Sequence, residues 1–89
     1  GVNVESINTI KILGYDDSQI QILDNSSAGA VDLKLPEAKE GAFFFIRSTG
    51  SQAIHIRDSA TTTTYAILST NEGCMVASDS SDYHLVMKA

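Results

Sequence analysis

Residues 19–41 of this chain are echoed imperfectly by residues 53–73, and the echo constrains the fold more than any other feature. Gln19-Ile20-Gln21-Ile22-Leu23-Asp24 matches Ala53-Ile54-His55-Ile56-Arg57-Asp58. At the same onward spacing Val31 falls opposite Tyr65, and after a two-residue deletion Glu40-Gly41 falls opposite Glu72-Gly73. A repeat of this length implies one supersecondary unit used twice. The unit reads as strand, polar turn, strand, Glu-Gly turn, strand.

Alternation with a period of two residues carries the strand assignment. Ile20 and Ile22 alternate with Gln19 and Gln21, and Val31, Leu33 and Leu35 with Asp32 and Lys34. Ile54 and Ile56 alternate with His55 and Arg57. Each segment reads as a strand with one buried and one wet face. Further strands are expected at 42–48, 64–68, 74–78 and 82–88, and one helical turn at Glu37–Glu40. The connections at 24–29, 49–51 and 79–82 are rich in Asp, Asn, Ser and Gly, the residues that close turns through side-chain bonds or positive φ. Together these predict an all-β fold, a small antiparallel β-sandwich or barrel of about seven to eight strands with an internal pseudo-repeat. Residues 1–17 lose the period after Val2 and Val4 and read as an N-terminal arm or edge strand, or equally as a frayed terminus. Residues 18–89 read as a single β domain.

With 89 residues the chain buries only about 60–65% of its unfolded surface, so an isolated monomer has modest stability. Disulfides, metals and self-association are the usual remedies. Cys74 is the only cysteine, and two widely separated histidines beside it do not make a zinc site, so self-association remains. A net charge of −5 with six scattered basic residues argues against nucleic acid and anionic membrane surfaces as partners. The longest wholly apolar run, Ala42–Ile46, is far shorter than a membrane span.

No residue set stands out as catalytic. His55 shares a strand face with Ala53 and Arg57 and is expected to face water; His84 alternates with Tyr83 and Leu85 in a terminal strand. Neither has a nucleophile-elbow serine to activate. Asp16-Asp17 and Asp79-Ser80-Ser81-Asp82 read as turns closed by Asp and Ser rather than as a calcium ladder. Cys74 lies in an apolar segment with no base beside it and reads as a buried structural thiol. Thr61–Thr64 favours extended chain because Cβ branching stiffens χ1, either as a strand lead-in or as a hydroxyl-rich ridge. No enzyme activity and no cofactor or metal are expected.

Several strands lack a wet face. In Ala42–Ile46 one side carries Ala42, Phe44 and Ile46, and the other carries Phe43 and Phe45. The segments around Met75 and around Tyr83, Leu85 and Met87 are two-sided in the same way. An antiparallel sheet in a lone monomer wets one side. Such strands imply a second buried surface, either another layer within the domain or a neighbouring subunit, and for the latter Phe43, Phe45, Met75, Tyr83 and Leu85 are the candidates for a homo-oligomer interface.

The run Val31-Asp32-Leu33-Lys34-Leu35-Pro36, then Gly41, Phe43 and Phe45, then Arg47-Ser48-Thr49-Gly50-Ser51, then Ile54, Ile56 and Asp58, resembles a pattern of small β-structured virion proteins of tailed bacteriophages. These are head-decoration (cement) proteins and short fibre or knob domains. A second hairpin follows in that pattern, as from Glu72-Gly73 to Met87 here. The resemblance covers most of residues 18–87. It implies a non-enzymatic virion component, usually a homotrimer, that sits on the capsid surface and binds the major capsid protein. An N-terminal arm on the capsid would give Val2, Val4 and Ile7 a contact role. The alternative within the same resemblance is a receptor- or glycan-binding tip of a tail fibre, with Tyr15, Tyr65 and Tyr83 as its aromatic candidates.

Overall fold

The computed structural model describes Gly1–Ala89 throughout and contains strands, turns and no helix. Nine strands form: β1 (Val2–Ile7), β2 (Lys11–Ile12), β3 (Ile20–Asn25), β4 (Val31–Lys34), β5 (Phe43–Ser48), β6 (Ile54–Arg57), β7 (Thr64–Leu68), β8 (Gly73–Ser78) and β9 (Tyr83–Lys88). One sheet has the order β1-β3-β5-β8-β9 and the other β2-β4-β6-β7. They pack as a sandwich around Leu23, Leu33, Leu35, Ile46, Ile54, Ile56, Leu68 and Val76, all essentially sealed from water.

The sheets are mixed, not purely antiparallel. Through β6 the chain passes from one sheet to the other at each connection. It therefore returns to each sheet in its earlier direction, so β1, β3 and β5 are parallel, as are β2, β4 and β6. Successive coils bring Val2 beside Ile20 and Ile20 beside Phe45. The β6–β7 hairpin ends this coil, and β8 and β9 add antiparallel to the free side of β5. Parallel pairing needs a crossover rather than a tight turn, and here the opposite sheet supplies the crossover. The strand count exceeds the expected seven to eight because residues 1–17 contribute two strands. Residues 2–7 are no detached arm; they form the edge strand of the five-stranded sheet, and Ile7 lies in the core.

The two echoed segments take different places. Residues 19–24 run into β3 of the five-stranded sheet, and residues 53–58 run into β6 of the four-stranded one. Gly41 closes a turn at φ +83°, where glycine alone is unstrained, whereas Gly73 is the first residue of β8 and the positive φ falls on Asn71. No helical turn forms at Glu37–Glu40. The Lys39 amide donates to Ser78 Oγ (3.2 Å), Ser78 Oγ donates to the Lys39 carbonyl, and the Gly41 amide donates to the Ser78 carbonyl (3.1 Å). The end of β8 thus takes the groups a helix would have used.

The strand β3 has the reverse phase from the one its sequence suggests. Gln21 is 1% exposed, and Leu23 and Asn25 point inward with it, while Ile20 and Ile22 point outward. The buried amides are satisfied. Gln21 accepts from Asn3 Nδ2 (2.8 Å) and donates to the Ser18 carbonyl (2.6 Å). Asn25 Nδ2 donates to the carbonyls of Gly29 (3.0 Å) and Ala53 (2.9 Å), and its Oδ1 accepts from the Ser27 amide (3.0 Å). Strand β1 follows suit, with Asn3 and Glu5 inward, Glu5 paired to Lys11, and Val2 and Val4 outward.

Gly50 packs directly on this polar anchor. A Cβ there would lie 2.6 Å from the Asn25 amide nitrogen and 2.8 Å from its carbonyl oxygen, and it would also meet the Asp24 carboxylate. Backbone cannot yield as a flexible side chain can. Gly50→Ala is expected to cost about 2 kcal/mol, the range of an overpacked core site. Urea unfolding should show a lowered midpoint with an unchanged slope.

Candidate functional site: the outer face of the five-stranded sheet

Register places Val2, Ile20, Phe45, Met75 and Met87 in one row across all five strands. The row on one side holds Val4, Ile22, Arg47 and Gly73, and the row on the other holds Phe43, Ala77 and His84. All project away from the core. Val2 is 55% exposed, Val4 70% and Phe45 39%. The rings of Phe43 and Phe45 meet edge to face, with centroids 6.1 Å apart. A shallow depression of about 250 Å³ opens in this face, lined by Ile20, Phe45, Arg47, Met75, Met87 and Ala89 among others. Apolar side chains presented together over five strands are more than the scattered exposure normal for a soluble surface.

The outer face of the four-stranded sheet is different in chemistry. Asp32, His55 and Ile67 form one row, and Ile12, Lys34, Arg57 and Thr64 another. Asp32 lies 3.6 Å from Arg57 and 3.8 Å from His55. Two apolar residues stand here among charges. One sheet therefore turns grease outward and the other turns charge outward.

Of the five interface candidates, Phe43, Phe45 and Met75 lie together on the apolar face. Leu85 is exposed but stands opposite core Val76, in the inward phase of β9, so it does not join these rows; Met87, opposite Met75, does. Tyr83 does not belong with them. It is 4% exposed, stacks edge to face on Tyr65 at 5.9 Å and fills the core. Its place follows from the Met75/Val76 register shift, which changes the phase of β9 partway along. Sequence reasoning missed Val2, Val4, Ile20 and Ile22 as members of this face: for Ile20 and Ile22 the alternation was seen with the wrong side taken as buried, and Val2 and Val4 were assigned to an arm rather than to this sheet.

The residues considered for chemistry are dispersed. His84 Nε2 lies 2.8 Å from Asp79 Oδ2 in the β8–β9 turn, and no serine hydroxyl bonds to His84. The other oxygen of Asp79 accepts from the amides of Ser81 (2.7 Å) and Asp82 (2.8 Å), so this carboxylate closes the turn. Asp17 does the same work by accepting from the Gly14 amide (2.7 Å). Asp58 caps the threonine run, accepting from the Thr62 and Thr63 amides at 2.7 and 3.0 Å. No three His, Cys, Asp or Glu side chains converge as metal ligands would. Cys74 is buried, and burial pushes its thiol up to about 11, away from thiolate reactivity. Tyr65 donates to Asp82 Oδ1 (2.7 Å), leaving Tyr15, beside the Lys39 ammonium, as the exposed tyrosine ring.

The chain matches no protein-family model, no curated protein and no solved structure.

The Asp79–His84 pair makes a pH prediction. The bond to Asp79 raises the His84 pKa above its ordinary 6.5, and bonds from His84 and the turn amides hold Asp79 below its ordinary 3.8. Stability from His84 is complete below the unfolded histidine pKa and is lost as pH rises through the raised folded value. Stability from Asp79 is complete above 3.8 and is lost on acidification through the lowered folded value. Between 3.8 and 6.5 the pair contributes fully. In an NMR titration His84 should titrate above 6.5, and Asp79→Asn should return it to the ordinary range. An unaltered His84 titration in that variant would refute the assignment.

Proposed function

We propose that this protein is a structural virion component: a homo-oligomeric decoration (cement) protein that lies on the outside of a tailed-phage capsid and stabilises it without catalysis or a cofactor. The single observation that carries the oligomer is the apolar outer face of the five-stranded sheet. The virion role, the major capsid protein as partner and a stoichiometry of three rest on the resemblance of residues 18–87 to such proteins. In this reading the copies cover one another through the apolar face. The charged face of the four-stranded sheet and the polar loops are then left to meet the capsid. Ile7, being core, takes no part in capsid contact. The echo of residues 19–41 in 53–73 is one strand-and-turn chemistry reused in two settings of a single β domain.

The test is mass and binding together. Light scattering at high micromolar concentration is expected to give one discrete oligomer, three copies by the resemblance, and the purified protein should saturate phage heads stripped of decoration at a fixed ratio. A strict monomer would count decisively against the proposal.

A second reading, the tip of a tail fibre, is favoured by the coiled course of β1 to β6. Stacked parallel coils lengthen in one direction, and the reversed strands β7 to β9 close one end of the stack. Tyr15 is then the ring available to stack on a sugar. A specific hit on a glycan array, lost in Tyr15→Ala, would promote this reading over the first.

A further inference from the structure

We infer that the apolar face is the contact between copies of this chain across its full width, β1 and β3 included, and that Arg47 and Asp24 fix its register by pairing between copies. The inference rests on the oligomeric reading above and goes further by naming the surface and its polar key.

The width follows from the inverted phase of β1 and β3. These strands place Asn3, Glu5, Gln21 and Asn25 inward, and Val2, Val4, Ile20 and Ile22 outward. For a sheet bathed in water on its outer side this is the costly arrangement, because burying polar groups requires every one to find a partner. It becomes the favourable one when the outer side is covered as well. A strand dry on both faces belongs inside a layered assembly.

The occupant follows from charge. Arg47 is the only lysine or arginine projecting from these rows, at the centre of the sheet. Asp24 projects from β3 on the same side as Ile20 and Ile22, opposite Ser6 of β1. Neither Arg47 nor Asp24 has an ion pair or a side-chain hydrogen bond within the chain. An unpaired charge inside an apolar contact is strongly unfavourable. A second copy brings one of each sign, so the contact is neutral in sum. An anionic lipid surface would meet one cation and repulsion from the rest of an acidic chain.

The test uses the full chain. Sedimentation equilibrium is measured for the wild type, Arg47→Glu, Asp24→Arg, the double reversal, Val4→Glu, and Ile67→Glu on the opposite outer face. Circular dichroism at high concentration confirms that each is folded. Each single reversal and Val4→Glu should raise the dissociation constant at least about tenfold, as loss of one partner of a buried charge pair does. The double reversal should recover most of that loss, and Ile67→Glu should behave as the wild type. An oligomer indifferent to Val4→Glu and Arg47→Glu overturns this inference while leaving self-association intact. Weakening without recovery in the double reversal overturns the pairing. A wild type that stays monomeric overturns the oligomeric reading itself. Because a mutant could be unfolded rather than dissociated, recovery in the double reversal is the decisive arm.

Discussion

The buried side chain of Asn25 sets the orientation of much of this molecule. Its three hydrogen bonds reach the turn that follows β3 and the residue that precedes β6, tying one sheet to the entry of the other. An unsatisfied buried amide costs about 1–3 kcal/mol for each group left without a partner, so this side chain stays inward. Strand alternation then leaves no freedom. With Asn25 inside, Leu23 and Gln21 are inside, and Ile22 and Ile20 must be outside. Gly50 allows the β5–β6 connection to lie against the Asn25 backbone, which is why the anchor and the crossover form together.

One consequence is an uneven division of polarity. Toward β1 and β2 the interior holds Asn3, Gln21 and the Glu5–Lys11 pair; Lys11 and Asn3 both bond to Glu5 and hold its carboxyl below the usual range. Toward β5, β6 and β8 the interior is mainly hydrocarbon, with Phe44, Ile46, Ile54, Ile56 and Val76, and only Ser48 and Ser78 at the strand ends are polar. The apolar residues that β1 and β3 do not place inside are on the outer face instead. A small domain that turns this much hydrocarbon away from its own core gains most by covering it, at about 25 cal/mol for each Å² removed from water.

What the sequence discloses divides along the same line. The segments 42–48, 64–68, 74–78 and 82–88 coincide closely with β5, β7, β8 and β9, because there the alternation or the turn residues are unambiguous. The two-sidedness of Ala42–Ile46 could be read directly, since no choice of phase hides Phe43, Phe45, Phe44 and Ile46 on a single side. For Gln19–Asp24 a choice of phase exists, and hydrophobicity alone chooses wrongly. The bonds that satisfy Gln21 and Asn25 come from Ser18, Ser27 and Gly29 close by in the chain and from Asn3 and Ala53, which are remote in the pattern. Parallel pairing was hidden for a related reason: a polar turn looks the same whether the chain reverses or crosses to the other sheet. β2 is two residues long and carries no period at all.

The edges bear on which surface the proposed association would use. Free strand edges invite pairing with another chain, and proteins blunt them with inward-pointing charges and bulges. Both devices are present in the five-stranded sheet. β1, at one edge, directs Glu5 inward to Lys11, so a strand added there would extend the interior over a charged pair. β9, at the other edge, carries a register shift between Met75 and Val76 that leaves Val86 out of the regular ladder. A β-bulge increases local twist and spoils the flat row of donors and acceptors that a new strand would need. With both edges discouraged and the four-stranded sheet's exterior charged, the apolar face is the surface on which contact between copies gains the most.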